Sequence, residues 1–417
     1  MRRYIFPVLV AALVALSASA SASAHKKSPG KSKKAVPASP AAPAVPVDPG
    51  LAEHRLIEIY QLVARSESRQ ALEQAQNLVR DYPNFQLAQL VYGDLLSARI
   101  RQVQTVGDVP QPVSKEAAAA LGDLRDESQL RLRALRERPP AGALPSQFLA
   151  LSSRNRHAIA VDASRSRLYL FENKASGLTL IADYYISIGK SGYEKKTEGD
   201  ARTPLGVYFI TGSLSRQSLK DFYGSGALPI NYPNELDSRR GKTGSGIWLH
   251  GTPANQFARP PQATDGCVVL ANPDLAQIIR TVQTRTTPVV IAPVLQWIAP
   301  NVARQESKPF EAALAAWQSA KSRGNMEQVL GFYSPDFQSN GKTLAEWAPG
   351  LRSQLDKTRG RAIEFKDLSM LRWTDAADTM VVTFGEVAEG SRTGPTRRQY
   401  WERQRGQWKI FYEGVIG

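Results

Sequence analysis

Ile247-Trp248-Leu249-His250-Gly251-Thr252, followed by Thr264-Asp265-Gly266-Cys267-Val268, is the stretch on which the reading of this chain turns. An apolar run ends on a histidine and breaks at a glycine, which suits a side chain presented at the end of a strand. Cys267 is the one cysteine of the chain, sixteen residues separating it from His250. A lone cysteine has no internal disulfide partner, and the chain opens with an export signal, so the thiol meets oxidising conditions with no structural return. Two readings follow: a nucleophile, or a small buried hydrophobe that happens to be sulfur. A nucleophile needs help, because a free thiol near pKa 8.5 is only a few per cent thiolate at neutral pH. A neighbouring imidazole and backbone amides bring it into a range of about 3.5 to 7.5. Of the four histidines, His25 lies in a Lys/Pro/Ala tract, His54 on a helical segment and His157 at the start of a strand, in a structural setting. His250 is left as the candidate base. Gly266 lets backbone approach a substrate closely, and the amides around Gly266 and Cys267 form a candidate oxyanion hole. Taken alone, this histidine–cysteine spacing is met by chance in many proteins. With so few histidines and one cysteine, no cluster has the spacing of a zinc site, and neither a metal nor a cofactor is expected.

Working outward, the texture changes twice. Residues 156–294 carry short apolar runs separated by Gly and Pro: Ala158–Asp162 and Leu168–Phe171 as a hairpin, then Ile181–Ile188, Gly206–Ile210, Ile247–Leu249 and Val289–Ala292, with one helix at Pro273–Val282. This predicts a mainly-β domain. Upstream, residues 51–145 read as helix: Leu56, Ile59, Tyr60 and Val63, then Leu72, Ala75, Leu78 and Val79, recur at helical spacing. The segment resembles one degenerate tetratricopeptide unit, too little for a solenoid, so these helices are expected to pack on the next domain, on a second copy of the chain or on another protein partner. Downstream, residues 306–417 begin with a helix marked by Phe310, Leu314 and Trp317 and a second at Met326–Tyr333. Strands follow at Ile363–Leu371, Thr379–Glu386, Arg397–Gln404 and Gln407–Glu413, giving an α+β cone.

At the N-terminus, Met1-Arg2-Arg3, an apolar run from Tyr4 to Leu16 and Ala22-Ser23-Ala24 have the form of a cleavable signal over residues 1–24. The mature protein is then soluble and exported, to the periplasm; left uncleaved, the run anchors it. Residues 25–50 are rich in Lys, Pro, Ala and Ser and are expected to be a disordered tether. The net charge of +15 suits acidic lipid headgroups or anionic wall polymers, or is simply solvated surface. Export makes nucleic acid a poor partner.

Thr203-Pro204-x-Gly206-x-Tyr208, Tyr232-Pro233-Asn234, Ile247–Thr252 and Gly266-Cys267-Val268 occur in the order, and with roughly the spacings, of the YkuD-type L,D-transpeptidases, which residues 156–293 resemble. The resemblance implies a cysteine enzyme acting on peptidoglycan stem tetrapeptides: Cys267 attacks the carbonyl of the third stem residue, D-alanine leaves, and an amine or water resolves the thioester. It implies His250 as general base with the Gly251 carbonyl fixing its tautomer, and Gly266, Asp265, Thr252 and Tyr232 as oxyanion or substrate residues. Two positions depart from the family pattern: Asp265 stands where a second histidine is usual, and Val269 where arginine is usual. Asp265 raises the thiol pKa by like charge, orients a substrate ammonium, or is an exposed loop acid. Loss of a cation beside Cys267 should weaken the grip on a carboxylate-rich acceptor stem and favour water. The C-terminal part resembles the nuclear transport factor 2-like superfamily, whose cone often holds a pocket for a small ligand. The three-part arrangement resembles the cell-shape L,D-carboxypeptidases of helical bacteria. The competing reading is a wall-binding or scaffolding protein with a dead site.

Overall fold

The computed structural model describes residues 50–109, 113–358 and 361–416. The expected signal and all but the last residue of the expected tether lie outside the described residues. The chain divides into two compact units: one runs to Pro83 and adds Leu87–Ala118, the other holds Asn84–Gln86 and Ala119–Gly417.

In the first unit, helices Leu51–Ala64 and Ser68–Asp81 pack as a pair. Leu56, Ile59 and Leu62 of one, and Ala71, Ala75 and Leu78 of the other, are buried at the three-to-four spacing that puts side chains on one face. Arg55 reaches across to Asp81 at 2.8 Å. Most of helix Gln86–Ser97 completes the unit.

The second unit is organised by a ten-stranded sheet and a five-stranded sheet. Strands His157–Asp162 and Arg167–Lys174 form the expected hairpin around a 3₁₀ turn at Ala163–Arg165. The long strand Gly177–Gly189 joins the halves of the larger sheet: Leu178–Tyr185 pair with Arg167–Asn173, while Ile186 and Ser187 pair with Leu270 and Val269. Beyond it come strands Val268–Leu270, Trp248–His250 and Gly226–Pro229. Strand Gly226–Pro229 has too few residues for alternation to show in the sequence. Ile186, Ile188, Leu228, Leu249, Val268 and Leu270 share the main core with Leu275 and Ile278 of helix Asn272–Thr281.

The five-stranded sheet orders Gln407–Ile416, Thr396–Gln404, Asp378–Ala388, Ile363–Thr374 and Phe148–Ala150. Helices Pro300–Ser322, Met326–Leu330 and Leu344–Thr358 pack on it. The last of these is not among the expected elements, and its interior carries Pro349 and Gly350, which break helical texture. Arg405-Gly406 turns the final hairpin with both residues at positive φ. The second compact unit holds both the β domain and the cone. Strand Phe148–Ala150 precedes the β domain yet pairs with Leu371 and Met370 of the cone. Phe171, Phe209 and Val290 of the β domain also bury against Leu371, Trp373, Val381 and Phe411 of the cone. Ion pairs Arg239–Asp336 at 2.6 Å and Arg240–Asp375 at 2.5 Å reinforce that seam.

Candidate active site

Strands Trp248–His250 and Val268–Leu270 run parallel, with Leu249 opposite Val268 and Val269 opposite His250. Alternation sends Leu249 and Val268 into the core, so Trp248, His250 and Val269 project from the other face. Cys267, one residue before its strand, falls on that same face beside Trp248. The register therefore puts His250 and Cys267 on one face of neighbouring strands.

His250 is buried, and its Nδ1 lies 2.7 Å from the Gly251 carbonyl. A carbonyl only accepts, so Nδ1 carries the proton and Nε2 is left as the basic atom. Burial pulls the imidazole pKa down to about 4, the Gly251 carbonyl opposing this and Arg259 adding to it. The residue after the histidine has to be glycine for a steric reason: a Cβ on Gly251 would collide with Asn272 Oδ1. Asn272 opens helix Asn272–Thr281 and clamps the turn, its Oδ1 accepting from Ser225 N at 2.8 Å and Thr252 N at 3.3 Å while Nδ2 donates to the Thr252 carbonyl at 2.8 Å. This positioning residue has no signal in the sequence, because its partners lie 20 and 47 positions away.

The Cys267 thiol is half-buried and directed at the Gly246 carbonyl, 3.6 Å away. Burial pushes its pKa up; the Trp248 backbone N–H and then Arg259 pull the other way, Asp265 pushes up and Lys195 pulls down. A thiol raised and an imidazole lowered make the resting pair neutral, which differs from the lowered thiol expected from a histidine neighbour. An unprotonated Nε2 is chemically able to accept a proton from a thiol. Gly266 sits at φ 122°, where a Cβ would press to 2.6 Å from the Arg202 carbonyl. Its N–H donates to Thr264 Oγ1 at 3.1 Å, and Thr264 Oγ1 donates to the Cys267 carbonyl at 2.8 Å. The Gly266 amide, expected in an oxyanion hole, is thus spent on holding the loop. Thr203 ties the same loop down, donating to the Gly266 carbonyl at 3.0 Å and accepting from Gly189 N at 2.9 Å.

The other expected substrate residues sit elsewhere. Thr252 is fully buried, and its hydroxyl donates to the Gln256 carbonyl at 2.6 Å, so it builds the turn instead of facing a ligand. Tyr232 lies in the core with its hydroxyl donating to the Thr243 carbonyl at 3.1 Å, bracing the segment that ends at Gly246. Asp265 is 80 % exposed and paired with Lys190 at 2.7 Å. Val269 is buried.

Sequence reasoning missed two further parts of the site. Phe222 and Tyr223 flank the imidazole at 5.7 and 5.0 Å between ring centroids, and Tyr223 also packs on Trp248. Phe222 is 46 % exposed and forms an open wall. Above it lies the Arg259 guanidinium, 4.4 Å from the ring centroid. Arg259 answers the expectation that the cation beside Cys267 is lost: the charge is present, supplied from eight residues upstream instead of two residues downstream. The segment Gly192–Asp200, featureless in sequence, is organised by the Asp200 carboxylate, which accepts from Lys195 Nζ at 2.8 Å, Lys196 N at 2.8 Å and Thr197 N at 3.0 Å. Burial opposes ionisation there, yet these donors bring its pKa down to about 2. The Lys195–Thr197 part of this segment also lines a cleft of about 1160 Å³ shared with Trp373 and Asp375 of the cone, which neither Cys267 nor His250 lines. Among the described residues no group of three or more His, Cys, Asp or Glu could hold a metal ion, and no helix is long and apolar enough to cross a membrane.

Residues 156–291 match the family model of the L,D-transpeptidase catalytic domain, YkuD, and residues 309–414 match the Cds6 C-terminal NTF2-like domain. Among solved structures, Bd1075 of Bdellovibrio bacteriovorus is 23% identical with a TM-score of 0.56, covering 66% of this chain and 98% of that one. The helical cell shape determining protein Pgp2 of Campylobacter jejuni is 22% identical with a TM-score of 0.52, covering 65% of this chain and 95% of that one. At these identities the likeness is one of fold. No curated protein matches.

Proposed function

We propose that this chain, which carries a YkuD-type L,D-transpeptidase catalytic domain joined to an NTF2-like domain, is an exported cysteine enzyme that removes the terminal D-alanine of peptidoglycan stem tetrapeptides. One observation supports the reading above the rest. His250 is held in a single tautomer by the Gly251 carbonyl on the same sheet face as Cys267, in adjacent parallel strands. In this reading Nε2 takes the thiol proton as sulfur attacks the carbonyl of the third stem residue. A C–S bond forms, and collapse breaks the C–N bond to D-alanine, whose amine leaves with the proton from His250. Water then attacks the thioester, giving a proton to His250; the C–S bond breaks, the thiolate recovers that proton and a tripeptide carboxylate departs.

Water is the proposed acceptor because the site offers a grip for only one stem. An amine acceptor must be held against the thioester while water is excluded. Of the cations near the nucleophile, Lys190 is engaged with Asp265 and Lys195 with Asp200, and Val269 carries no charge, so among the described residues Arg259 is left as the cation without a carboxylate partner. The test is to supply a defined tetrapeptide muropeptide alone and with excess amine, and to read the products by mass. Tripeptide in both conditions supports the proposal. Predominant 3→3 dimers or D-amino-acid exchange makes the enzyme a transpeptidase, and a folded protein with no turnover and no capture of a penem on Cys267 returns the scaffolding reading.

A further inference from the structure

Arg259 is 9% exposed, and among the described residues no carboxylate lies within ion-pair distance of its guanidinium. Asp265 pairs with Lys190 instead and acts on Arg259 only from a distance. A buried charge is expensive unless something pairs with it. Elsewhere in the same unit several buried cations are matched: Arg131 with Glu127 at 2.7 Å, Lys195 with Asp200, Arg397 with Glu386 and Glu413, while Arg398 instead lies over the Phe209 ring and donates to Thr383 Oγ1 at 3.1 Å. Arg259 departs from that pattern at the place where a substrate would arrive.

The chain holds Arg259 there with care. The Tyr185 hydroxyl donates to the Arg259 carbonyl at 2.9 Å, and the Arg131 guanidinium lies 4.1 Å from the Tyr185 ring centroid. Phe257, two residues earlier, stacks on Phe85 at 4.1 Å, and its N–H donates to the Asn84 carbonyl at 3.0 Å. The guanidinium carbon then lies 4.4 Å from the ring centroid of Phe222, whose ring also packs on His250. An aromatic face fixes the plane of the fork while leaving its N–H edge free for two parallel hydrogen bonds to a carboxylate.

We propose that Arg259 is the specificity residue of this site, binding a free carboxylate that flanks the scissile bond of the substrate stem. The inference rests on the functional reading above and deepens it. Two groups of a tetrapeptide stem have the required chemistry: the terminal carboxylate of D-alanine and the side-chain carboxylate of a diaminopimelate third residue. Either one would place its neighbouring amide against Cys267 and select stems that still carry the charge. The cation also favours the thiolate and disfavours the imidazolium, so it acts on both reacting groups in the direction that attack requires.

The experiment compares wild type, Arg259→Gln and Arg259→Lys on three synthetic stems: the free tetrapeptide, the tetrapeptide amidated at D-alanine, and the tetrapeptide amidated on the diaminopimelate side chain. For the free stem, Arg259→Gln should lower kcat/KM by at least about 30-fold, mostly through KM, with Arg259→Lys recovering part of it. On one amidated stem wild type should fall to the level of Arg259→Gln, and that stem identifies the carboxylate. Thermal denaturation and the rate of Cys267 alkylation by neutral iodoacetamide report whether each variant keeps its site. Should wild type and Arg259→Gln respond equally to amidation of either group, the inference is overturned while turnover by both leaves the functional reading standing. Absence of turnover by wild type on all three stems overturns both.

Discussion

The sheet face around Cys267 and the interior of the cone treat buried charge in opposite ways. In the cone, Lys321 meets Glu386 at 2.6 Å, Arg397 meets Glu386 and Glu413 at 2.8 Å each, and Tyr333 and Gln399 donate to Glu413 at 2.8 and 2.7 Å. Two cations and two carboxylates close on one another, leaving no charge for a visitor. Around Cys267 the loop is tied through Thr203 and Thr264, while among the described residues no partner is seen for Nε2 of His250 and no carboxylate pairs with the guanidinium of Arg259. A satisfied network fixes shape, and an unsatisfied one in a rigid frame marks where chemistry is done.

The largest expected effects test the reactive side of that contrast. Cys267→Ala should abolish turnover with the thermal transition unchanged, and normal turnover by the folded variant would sink the mechanism. His250→Ala should cost about 10²–10⁴-fold in kcat/KM. The pH profile carries the sign. A protonated imidazole cannot accept the thiol proton, and burial holds that pKa at about 4. Activity should therefore stay level from neutral pH down to about 4 and fall tenfold per unit below it. An acid limb near 6.5 instead would mean that the imidazole is solvated in solution. The unfolded chain binds this proton at the higher pH, so His250 also makes stability decline as pH drops from about 6.5 to about 4.

The next effect sharpens the comparison between the two regions. Arg397→Met leaves the buried Glu413 carboxylate without its cation and Glu386 with Lys321 alone, and should cost about 3–5 kcal/mol of stability. Its kcat at temperatures where the protein is folded should hardly change. Arg259→Met removes a buried cation that pairs with no carboxylate, so stability should move by less than about 1 kcal/mol while kcat/KM falls. Paired denaturation curves and kinetics on the two variants check this; equal destabilisation would erase the distinction between a structural and a waiting charge.

Asn272→Ala should come third. It strips partners from Ser225 N, Thr252 N and the Thr252 carbonyl. A cost of about 1–3 kcal/mol in stability is expected, with a kcat loss of about ten- to a hundredfold as the Gly251 carbonyl drifts from His250. KM should hold, because no substrate contact is touched.

Asn272 also shows where the sequence stops being legible. Strand ends, the glycine after His250 and the glycine before Cys267 leave local marks, since a strand alternates and a crowded or positive-φ position excludes other residues. The cone's strands were equally readable from alternation in Thr379–Phe384. Groups that act through distant partners leave no such mark. Asn272 holds backbone from two other segments, and Phe222 reaches His250 only after the sheet has formed. Arg259 looks like any surface arginine in a Pro-rich loop until burial singles it out. The motif residues Thr252 and Tyr232 are buried and bonded into the surrounding backbone, so a recurring motif can record framework as readily as contact.

The smallest effect concerns Asp265, and it separates three readings of one side chain. It is largely exposed and bound to Lys190, an arrangement worth about 0–1 kcal/mol. As a negative charge near the sulfur it opposes thiolate formation, though burial, the Trp248 N–H and Arg259 all weigh more heavily. Asp265→Asn should therefore raise the alkylation rate of Cys267 at fixed neutral pH by less than about threefold, because less of the thiol's cost of ionising remains. It should also leave kcat/KM for the tetrapeptide within about twofold. The same rate in Asp265→Asn and wild type would make the residue a plain surface acid. A loss of tenfold or more in kcat/KM, with alkylation unchanged, would instead give Asp265 a substrate ammonium to hold. The grip on the stem would then have an anionic half facing Arg259, and the contrast between a satisfied cone and an open site would extend to both signs of charge.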